Sequence, residues 1–229
     1  MAAHYPRIRG IGAFQSGAGS QSHRIGGNQV SPNIGDLLLI FLESANQTFT
    51  PDTGFLEAPS SPQSIGTAGG ANATRLTIFY KISDGTEVNY VTGDSGNHNC
   101  VASFIIEGVD RENPFNANAG NTAAASTALT CPAVTTTRPE CLIINAVATD
   151  RDLNSSNNFS GETNANLTNL TEQIDNSTNQ QAGGGLYVLT GEKGTAGSTG
   201  TTTATQAASE ETARITLAIA PLRRRIAVT

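Results

Sequence analysis

The feature that most restricts the fold of this sequence is a series of short apolar runs separated by residues that favour turns. The runs have the length of β-strands and are rich in β-branched and aromatic residues. The clearest are Leu37–Leu42, Leu76–Ile82, Val101–Val109, Cys141–Ala148, Leu186–Thr190 and Ala213–Ala220. Gly, Pro, Asp and Asn fill the gaps, and each of these residues favours turns for a conformational reason. No helical periodicity exceeds two turns, so the pattern predicts an all-β protein.

The runs recur in the same order after Leu37 and after Leu142, which are 105 residues apart. Each unit contains an aliphatic strand, a loop rich in Asn, Thr and Ser, a Gly-rich lead into an aromatic strand, a polar strand and a last apolar strand. We therefore predict a single antiparallel β-sandwich, jelly-roll or immunoglobulin-like, in which two four-strand half-repeats form the facing sheets. The alternative is a sandwich whose similar short strands do not reflect an internal repeat.

The predicted sandwich spans residues 36–221, with half-repeats at about 36–115 and 140–221. Residues 1–35 are expected to form a Gly-rich arm and a first strand, and residues 222–229 a basic tail. The arm carries too little apolar surface to be ordered by itself. The alternate positions expected to form one core are Leu38, Ile40, Ile78, Tyr80, Phe104, Ile106, Ile143, Leu217 and Ile219.

Composition narrows the range of partners. Charged residues make up 14% of the 229 residues, against about 25% in ordinary soluble domains. The formal net charge of -6 disfavours binding to nucleic acid, which needs Lys and Arg to neutralise phosphates.

No apolar run reaches about 18 residues, so no membrane span is predicted. The N-terminal residues lack the apolar core of a signal peptide, which predicts synthesis in a cytoplasm.

The three cysteines, Cys100, Cys131 and Cys141, are predicted to be free thiols inside strands, because an odd number without a secretion signal argues against a disulfide framework. The histidines His4 and His23 stand far from His98 and show no zinc-binding spacing. No cofactor or metal site is therefore predicted.

Two short motifs resemble functional sites. Gly93-Asp94-Ser95-Gly96 matches the string around the nucleophile of trypsin-like proteases, but no histidine motif accompanies it and a turn explains it. The run that begins at Asp150-Arg151-Asp152 resembles a calcium loop, yet Ser155 replaces the expected Gly and Gly161 the expected Glu. We interpret this run as a polar loop, with a looser calcium site left open.

Six blocks of sequence together resemble a family of β-sandwich proteins of tailed phages and prophage-like regions. They are GDLLLIFLES, TPDTGF, RLTIFYKISDGTE, ASFIIEGVDRENPF, AVTTTRPECLIINAVAT and TLAIAP, in this order. The family shares the block order GDLL, PxGW, YYRVADGTE, GVDPxNP and TTTxPNxL. The resemblance covers Ile8 to Pro221. Phe55 stands where the family usually has Trp, and Glu210–Thr212 lies where a second Trp is common.

The resemblance implies a structural protein of the virion that has no active site. Within that class we expect a capsid decoration (cement) protein that binds the major capsid protein or another virion protein. By analogy with decoration proteins at three-fold capsid positions, a homo-oligomer, in particular a trimer, is expected. The terminal segments are the predicted contacts because they combine charge with apolar groups. The candidate residues are Arg223, Arg224, Arg225, Ile226, Arg7 and Arg9.

Two other functions are consistent with the sequence. Residues 44–74 and 150–183 follow equivalent strands and are rich in amide and hydroxyl side chains, which suits a receptor- or carbohydrate-binding module of a tail or fibre. A glycosidase would need two carboxylates at a defined separation in a cleft, and no acidic pair here has that context.

We expect no hydrolytic activity, because no nucleophile has a supported base. Purified protein should release no products from peptides or from host surface polysaccharides. Cleavage that disappears in the Ser95→Ala variant, or in a variant of one carboxylate, would contradict this prediction.

Overall fold

The structure, a computed structural model, describes residues 4–27 and 30–223. Within these ranges it contains strands and no helix. The strands are β1 (Arg7–Gly17), β2 (Ser22–Arg24), β3 (Leu37–Ser44), β4 (Leu56–Glu57), β5 (Gln63–Ile65), β6 (Thr74–Ile82), β7 (Asn89–Val91), β8 (Asn99–Glu107), β9 (Phe115–Cys131), β10 (Thr135–Thr136), β11 (Cys141–Thr149), β12 (Phe159–Thr163), β13 (Thr168–Thr178), β14 (Gly184–Lys193), β15 (Gly197–Ser198) and β16 (Thr202–Ile219). The described residues therefore contain no helix long and apolar enough to cross a membrane.

Two six-stranded antiparallel sheets pack face to face and confirm the predicted all-β sandwich. The first sheet has the order β1-β8-β3-β6-β4, with β5 also paired to β6. The second has the order β12-β16-β11-β14-β13, with β9 also paired to β16. Two small ribbons, β2 with β7 and β10 with β15, lie outside the sheets.

The strand pairings repeat from one half of the chain to the other. Five pairings of the first eight strands recur when eight is added to each strand number. They are β1–β8 with β9–β16, β2–β7 with β10–β15, β3–β6 with β11–β14, β3–β8 with β11–β16, and β5–β6 with β13–β14. One pairing differs, since β4 pairs with β6 whereas β12 pairs with β16. The repeat therefore begins at β1 and β9, earlier in the chain than residues 36 and 140.

The register of the central strands gives the residue equivalences. Leu37 lies opposite Ile106 in the first sheet, as Leu142 lies opposite Ile219 in the second. All four side chains belong to the core between the sheets. Phe104 packs edge-on against Phe41 in this core, with ring centroids 4.9 Å apart. Both halves thus contribute equivalent faces to one core.

The predicted core is right for most positions and wrong for three. Ile78, Phe104, Ile106, Leu217 and Ile219 lie between the sheets, and Tyr80 packs against them while partly exposed. Leu38, Ile40 and Ile143 are buried, but on the outer faces of the sheets. Strands β3 and β11 are apolar on both faces, so alternation along the sequence cannot distinguish the inner face from the outer one.

The outer faces are buried because loops and the small ribbons cover them. Ile25, Phe55 and Tyr90 cover the outer face of the first sheet at Leu38 and Ile40. An equivalent cover on the second sheet includes Val134 and Leu167 against Ile143, and Phe159, whose ring stacks on Tyr187 at 4.3 Å. The sandwich therefore has apolar layers outside as well as between its sheets.

Two polar segments adopt more regular structure than predicted. Residues 150–183, predicted as a loop, contain the strands β12 and β13, and the 17-residue β9 was not predicted. These strands lie at sheet edges, and apart from the buried second half of β13 they are mostly exposed or half-buried, so they lack the apolar alternation that reveals a strand. The Gly-rich segment contains β1, which pairs with β8 in the first sheet. All three cysteines are buried and free, as predicted.

We predict that equivalent core positions of the two halves have comparable importance for stability. Phe104→Ala should lower the free energy of unfolding by about 3–5 kcal/mol and Leu217→Ala by about 2–5 kcal/mol, because each leaves a cavity in a packed core. Leu153→Ala, at a half-exposed loop position, should change it by less than about 0.5 kcal/mol. Chemical denaturation measures all three. A core variant as stable as Leu153→Ala would contradict the shared core.

Candidate functional site

The first and last described segments of the chain come together at one end of the sandwich. Strand β1 begins there with Arg7 opposite Glu107, the last residue of β8. After β16, Pro221 forms a β-bridge with Val109, and the amide of Leu222 donates to the carbonyl of Gly108 at 2.8 Å. The loop after β8 therefore contacts both terminal segments.

An ion-pair network centred on Asp110 fixes the C-terminal segment at this end. Arg138 Nη1 and Arg223 Nε each lie 2.7 Å from Asp110 Oδ2. Arg138 also donates to the carbonyl of Pro221 at 2.6 Å. Burial opposes ionisation of Asp110, but the hydrogen bonds from Arg223 and Arg138 outweigh it and lower the pKa to about 2. Asp110 thus holds a negative charge at all physiological pH values.

The structure brings three of the predicted contact residues to this end. Arg7 and Arg223 are exposed. Arg9 is already engaged within the chain, since it lies 2.6 Å from Asp36 Oδ2 and donates to the carbonyl of Ser31. It therefore acts as an internal anchor for the start of β3. Arg224, Arg225 and Ile226 lie outside the described residues.

Exposed apolar side chains lie beside these arginines. Ile34 is 71% exposed and Leu222 59% exposed, and both line a groove of about 240 Å³ together with Arg111. Leu56 is 61% exposed and lines a groove of about 350 Å³ that also includes Arg111. We call six exposed apolar and cationic residues of this end the terminal surface; they are Arg7, Ile34, Leu56, Arg111, Leu222 and Arg223. The exposed acidic residues Glu107 and Glu112 line the same grooves. Ile34, Leu56 and Arg111 could not be predicted as contact residues from the sequence, since only the fold brings them close to the terminal segments.

The opposite end of the sandwich, the loop end, is where β3 and β11 finish and β8 and β14 begin. The amide of Ala182, before β14, donates to Asn97 Oδ1, before β8, at 3.2 Å. The side chain of Gln47, after β3, lies beside Gly96. The segments that follow β3 and β11 therefore both contact the turn before β8 at this end.

Beneath these loops is a fully buried cluster of Glu43, His98 and Cys100. Glu43 on β3 lies directly opposite Cys100 on β8, and His98 comes just before β8. His98 Nε2 is 2.7 Å from Glu43 Oε2, and one ligand-type atom from each of the three side chains lies within 4.8 Å of the others. Among the described residues this is the one group of three or more such side chains close enough to share an ion.

Neighbouring side chains orient the cluster. His98 Nδ1 is 3.0 Å from Asn97 Oδ1, and Thr74 donates to Glu43 Oε1 at 3.2 Å. A Cβ at Gly184 would lie 2.1 Å from Glu43 Oε2 and 2.2 Å from His98 Nε2. Glycine at position 184 is therefore required for the second sheet to approach the cluster.

Burial and mutual interaction determine the protonation of the cluster. Burial raises the pKa of Glu43, and His98 only partly offsets this. Burial alone would lower the pKa of His98, but the charge and hydrogen bond of Glu43 raise it. Both pKa shifts favour a state in which Glu43 and His98 together keep one proton between them. Burial, together with Glu43, also raises the pKa of the Cys100 thiol.

This cluster could not be predicted from the sequence, because its histidine shows none of the usual zinc-binding spacings. The local signal is His98-Asn99-Cys100, in which alternate residues of an extended chain point the same way. Nothing in the sequence placed Glu43 opposite Cys100 before the register of β3 and β8 was established.

The two other motifs lie in loops. The Ser95 hydroxyl donates to the carbonyl of His98 at 3.0 Å, as in a closed turn. In the run proposed as a calcium loop, Asp150 accepts a hydrogen bond from the amide of Glu211 at 2.8 Å, and Asn154 accepts one from the amide of Asn179. These oxygens are used in holding the loop to its neighbours.

Comparisons with models of protein families, with curated proteins and with solved structures find no match to this chain.

We predict that Asp150 destabilises the protein above neutral pH. Burial, reinforced by the charge of Glu210, raises its pKa from 3.8 to about 7. The folded state then binds more protons than the unfolded state between pH about 4 and 7, so stability falls as pH rises through that window. Asp150→Asn should raise the free energy of unfolding at pH 8 by about 1–3 kcal/mol and change it little near pH 4.

Denaturation at the two pH values measures this effect, and Asp152→Asn is the matched control because Asp152 is exposed. Asparagine can still accept the hydrogen bond from Glu211. An Asp150→Asn variant that is no more stable than the unchanged protein at pH 8 would contradict the assignment.

Proposed function

We propose that this protein is a structural component of a tailed-phage virion, most specifically a capsid decoration protein, and that it binds its neighbour through the terminal surface. The main support for the proposal is that the first and last described segments lie together at one end, where the exposed side chains of Ile34 and Leu222 line a groove. The resemblance of the sequence blocks to phage structural proteins supplies the biological context. The protein on this view has no catalytic role.

The chemistry of the terminal surface supports an association with an acidic partner. The chain has 13 Lys and Arg residues and a net charge of -6. Arg7, Arg9, Arg111, Arg138 and Arg223 lie at this end, and Arg224 and Arg225 follow in the sequence. The exposed Arg7, Arg111 and Arg223 can steer an acidic surface towards the exposed apolar groups. They lie among the exposed carboxylates Glu107 and Glu112, which line the same grooves.

The partner we propose is the major capsid protein or another protein of the virion shell. Exposed apolar groups rimmed by polar residues are typical of protein interfaces. A homo-oligomer, with a trimer favoured by analogy with decoration proteins, would present several such surfaces at once, so that modest single contacts combine into strong attachment. We propose the virion as the site of action and the host cytoplasm as the site of synthesis.

A second candidate is a receptor- or carbohydrate-binding module of the tail or fibre. The observation that favours it is that the segments after β3 and β11 both contact the turn before β8 at the loop end. A rigid sandwich that presents adjacent loops is a common arrangement for recognition. The two proposals use opposite ends of the molecule, so they can be separated by mutation.

We predict that Leu222→Asp and Arg223→Glu each weaken binding to virions at least about tenfold, a change equivalent to about 1.4 kcal/mol. Aspartate removes an apolar contact, and glutamate reverses a charge next to Asp110. Point variants are preferable to removing residues 1–26, because that deletion would take β1 out of the first sheet. The assay mixes labelled protein with virions that lack it and measures the bound fraction.

Leu153→Asp is the control, because Leu153 is 45% exposed and lies in the loop after β11. It should bind virions like the unchanged protein. Loss of binding in Leu153→Asp with full binding in the two terminal variants would favour the loop-end module instead. Absence of the protein from purified virions, by mass spectrometry and electron microscopy, would overturn the proposed role altogether.

A further inference from the structure

We propose that Glu43, His98 and Cys100 form a binding site for a divalent transition-metal ion of the zinc class, inside the sandwich beneath the loop end. This inference is independent of the proposed virion role, since the cluster and the terminal surface lie at opposite ends. Carboxylate, imidazole and thiolate are the three side-chain types that bind zinc in proteins, and three protein ligands with water in the fourth position form a known coordination pattern.

The repeat provides an internal comparison that makes this cluster unusual. By the strand register, Glu43 and Cys100 correspond to Ala148 and Ala213, which lie opposite each other in the second sheet. Ala148 and Ala213 belong to the core between the sheets, as Cys100 does. The fold is therefore satisfied by two alanines at this position. A carboxylate and a thiol in their place introduce buried polar groups that the architecture does not require.

Burial of this cluster has an energetic cost that a cation would offset. Glu43, His98 and Cys100 are 0% exposed, and a charge without compensation is strongly disfavoured in such surroundings. A dication with one carboxylate, one thiolate and a neutral imidazole has no net charge. Binding releases the proton shared by Glu43 and His98 and the proton of the Cys100 thiol, which are replaced by bonds to the metal.

The surroundings match what a metal site needs. In neutral His98 the proton on Nδ1 is donated to Asn97 Oδ1, 3.0 Å away. The other ring nitrogen, Nε2, then has a free lone pair that faces Glu43 and can bind a metal ion. Thr74 fixes the other carboxylate oxygen. Partners of this kind orient the ligands of metal sites. In tetrahedral zinc sites the nitrogen and oxygen ligands are about 3.3 Å apart. The distance between His98 Nε2 and Glu43 Oε2 is 2.7 Å, so these two atoms must move apart by less than about 1 Å, which a small side-chain rotation achieves.

The test uses the full chain. Because the site is closed in the folded protein, the chain is unfolded by denaturant in the presence of a chelator and then refolded with or without added Zn²⁺ or Co²⁺. One Zn²⁺ per chain should remain after desalting. At about a hundredfold excess over the dissociation constant, Zn²⁺ should raise the thermal midpoint by roughly 5–10 °C. Co²⁺ should produce a thiolate-to-metal charge-transfer band and the visible bands of tetrahedral cobalt.

Cys100→Ala is the decisive variant and should fold, because Ala213 occupies the equivalent position. It should lose the charge-transfer band and the thermal shift. Cys131→Ala is the matched control, as another buried free cysteine, and should retain both. His98→Gln should weaken binding while leaving the cysteine in place. Refolded protein that takes up no metal, or a Cys100→Ala variant with the same cobalt spectrum as the unchanged chain, would overturn the proposal and leave a hydrogen-bonded Glu43–His98 pair.

Discussion

The whole architecture depends on burying two central strands, β3 and β11, on both of their faces. One face of each strand meets the opposite sheet, and the other face needs a separate cover. Loops and the small ribbons supply that cover, with Ile25 and Tyr90 on the first sheet and Val134 on the second. An uncovered outer face would be a hydrophobic patch large enough to cause association.

The fold class was predictable because burial on both faces gives continuous apolar runs, as in Leu37–Leu42, that turn residues separate. The same property hid the orientation of those strands, so Leu38, Ile40 and Ile143 were assigned to the wrong face. Edge strands such as β9 were missed, because they are exposed and their residues carry no periodic signal. Local composition was enough to propose Arg7 and Arg223 as contact residues, which stays a prediction, whereas Ile34 and the Glu43–Cys100 pair depend on contacts between residues far apart in the sequence.

Differences between the halves show where each sheet has a particular requirement. Ile40 of β3 corresponds to Asn145 of β11, which is 1% exposed and is hydrogen-bonded to both Thr202 and Thr216. There a buried amide replaces an aliphatic group, and its hydrogen bonds offset the cost of burial. At the loop end the polar residues are in the first half instead, since Glu43 and Cys100 stand where the second half has Ala148 and Ala213. A duplicated fold thus keeps its pairing pattern while single positions diverge in chemistry.

The two ends of the sandwich also differ in how solvent acts on their charges. The Asp110 network lies at a rim where Arg223 is 64% exposed, so salt screens its interactions and contacts made there respond to ionic strength. The Glu43–His98 pair is wholly enclosed, where screening is weak and each unpaired polar atom is costly. The exposed Arg223 at this rim suits reversible association with a partner, because it can exchange water for protein at little cost, whereas the buried Asp110 holds the C-terminal segment in place. An enclosed cluster suits a fixed structural role, because changing its state requires the sheets around it to open.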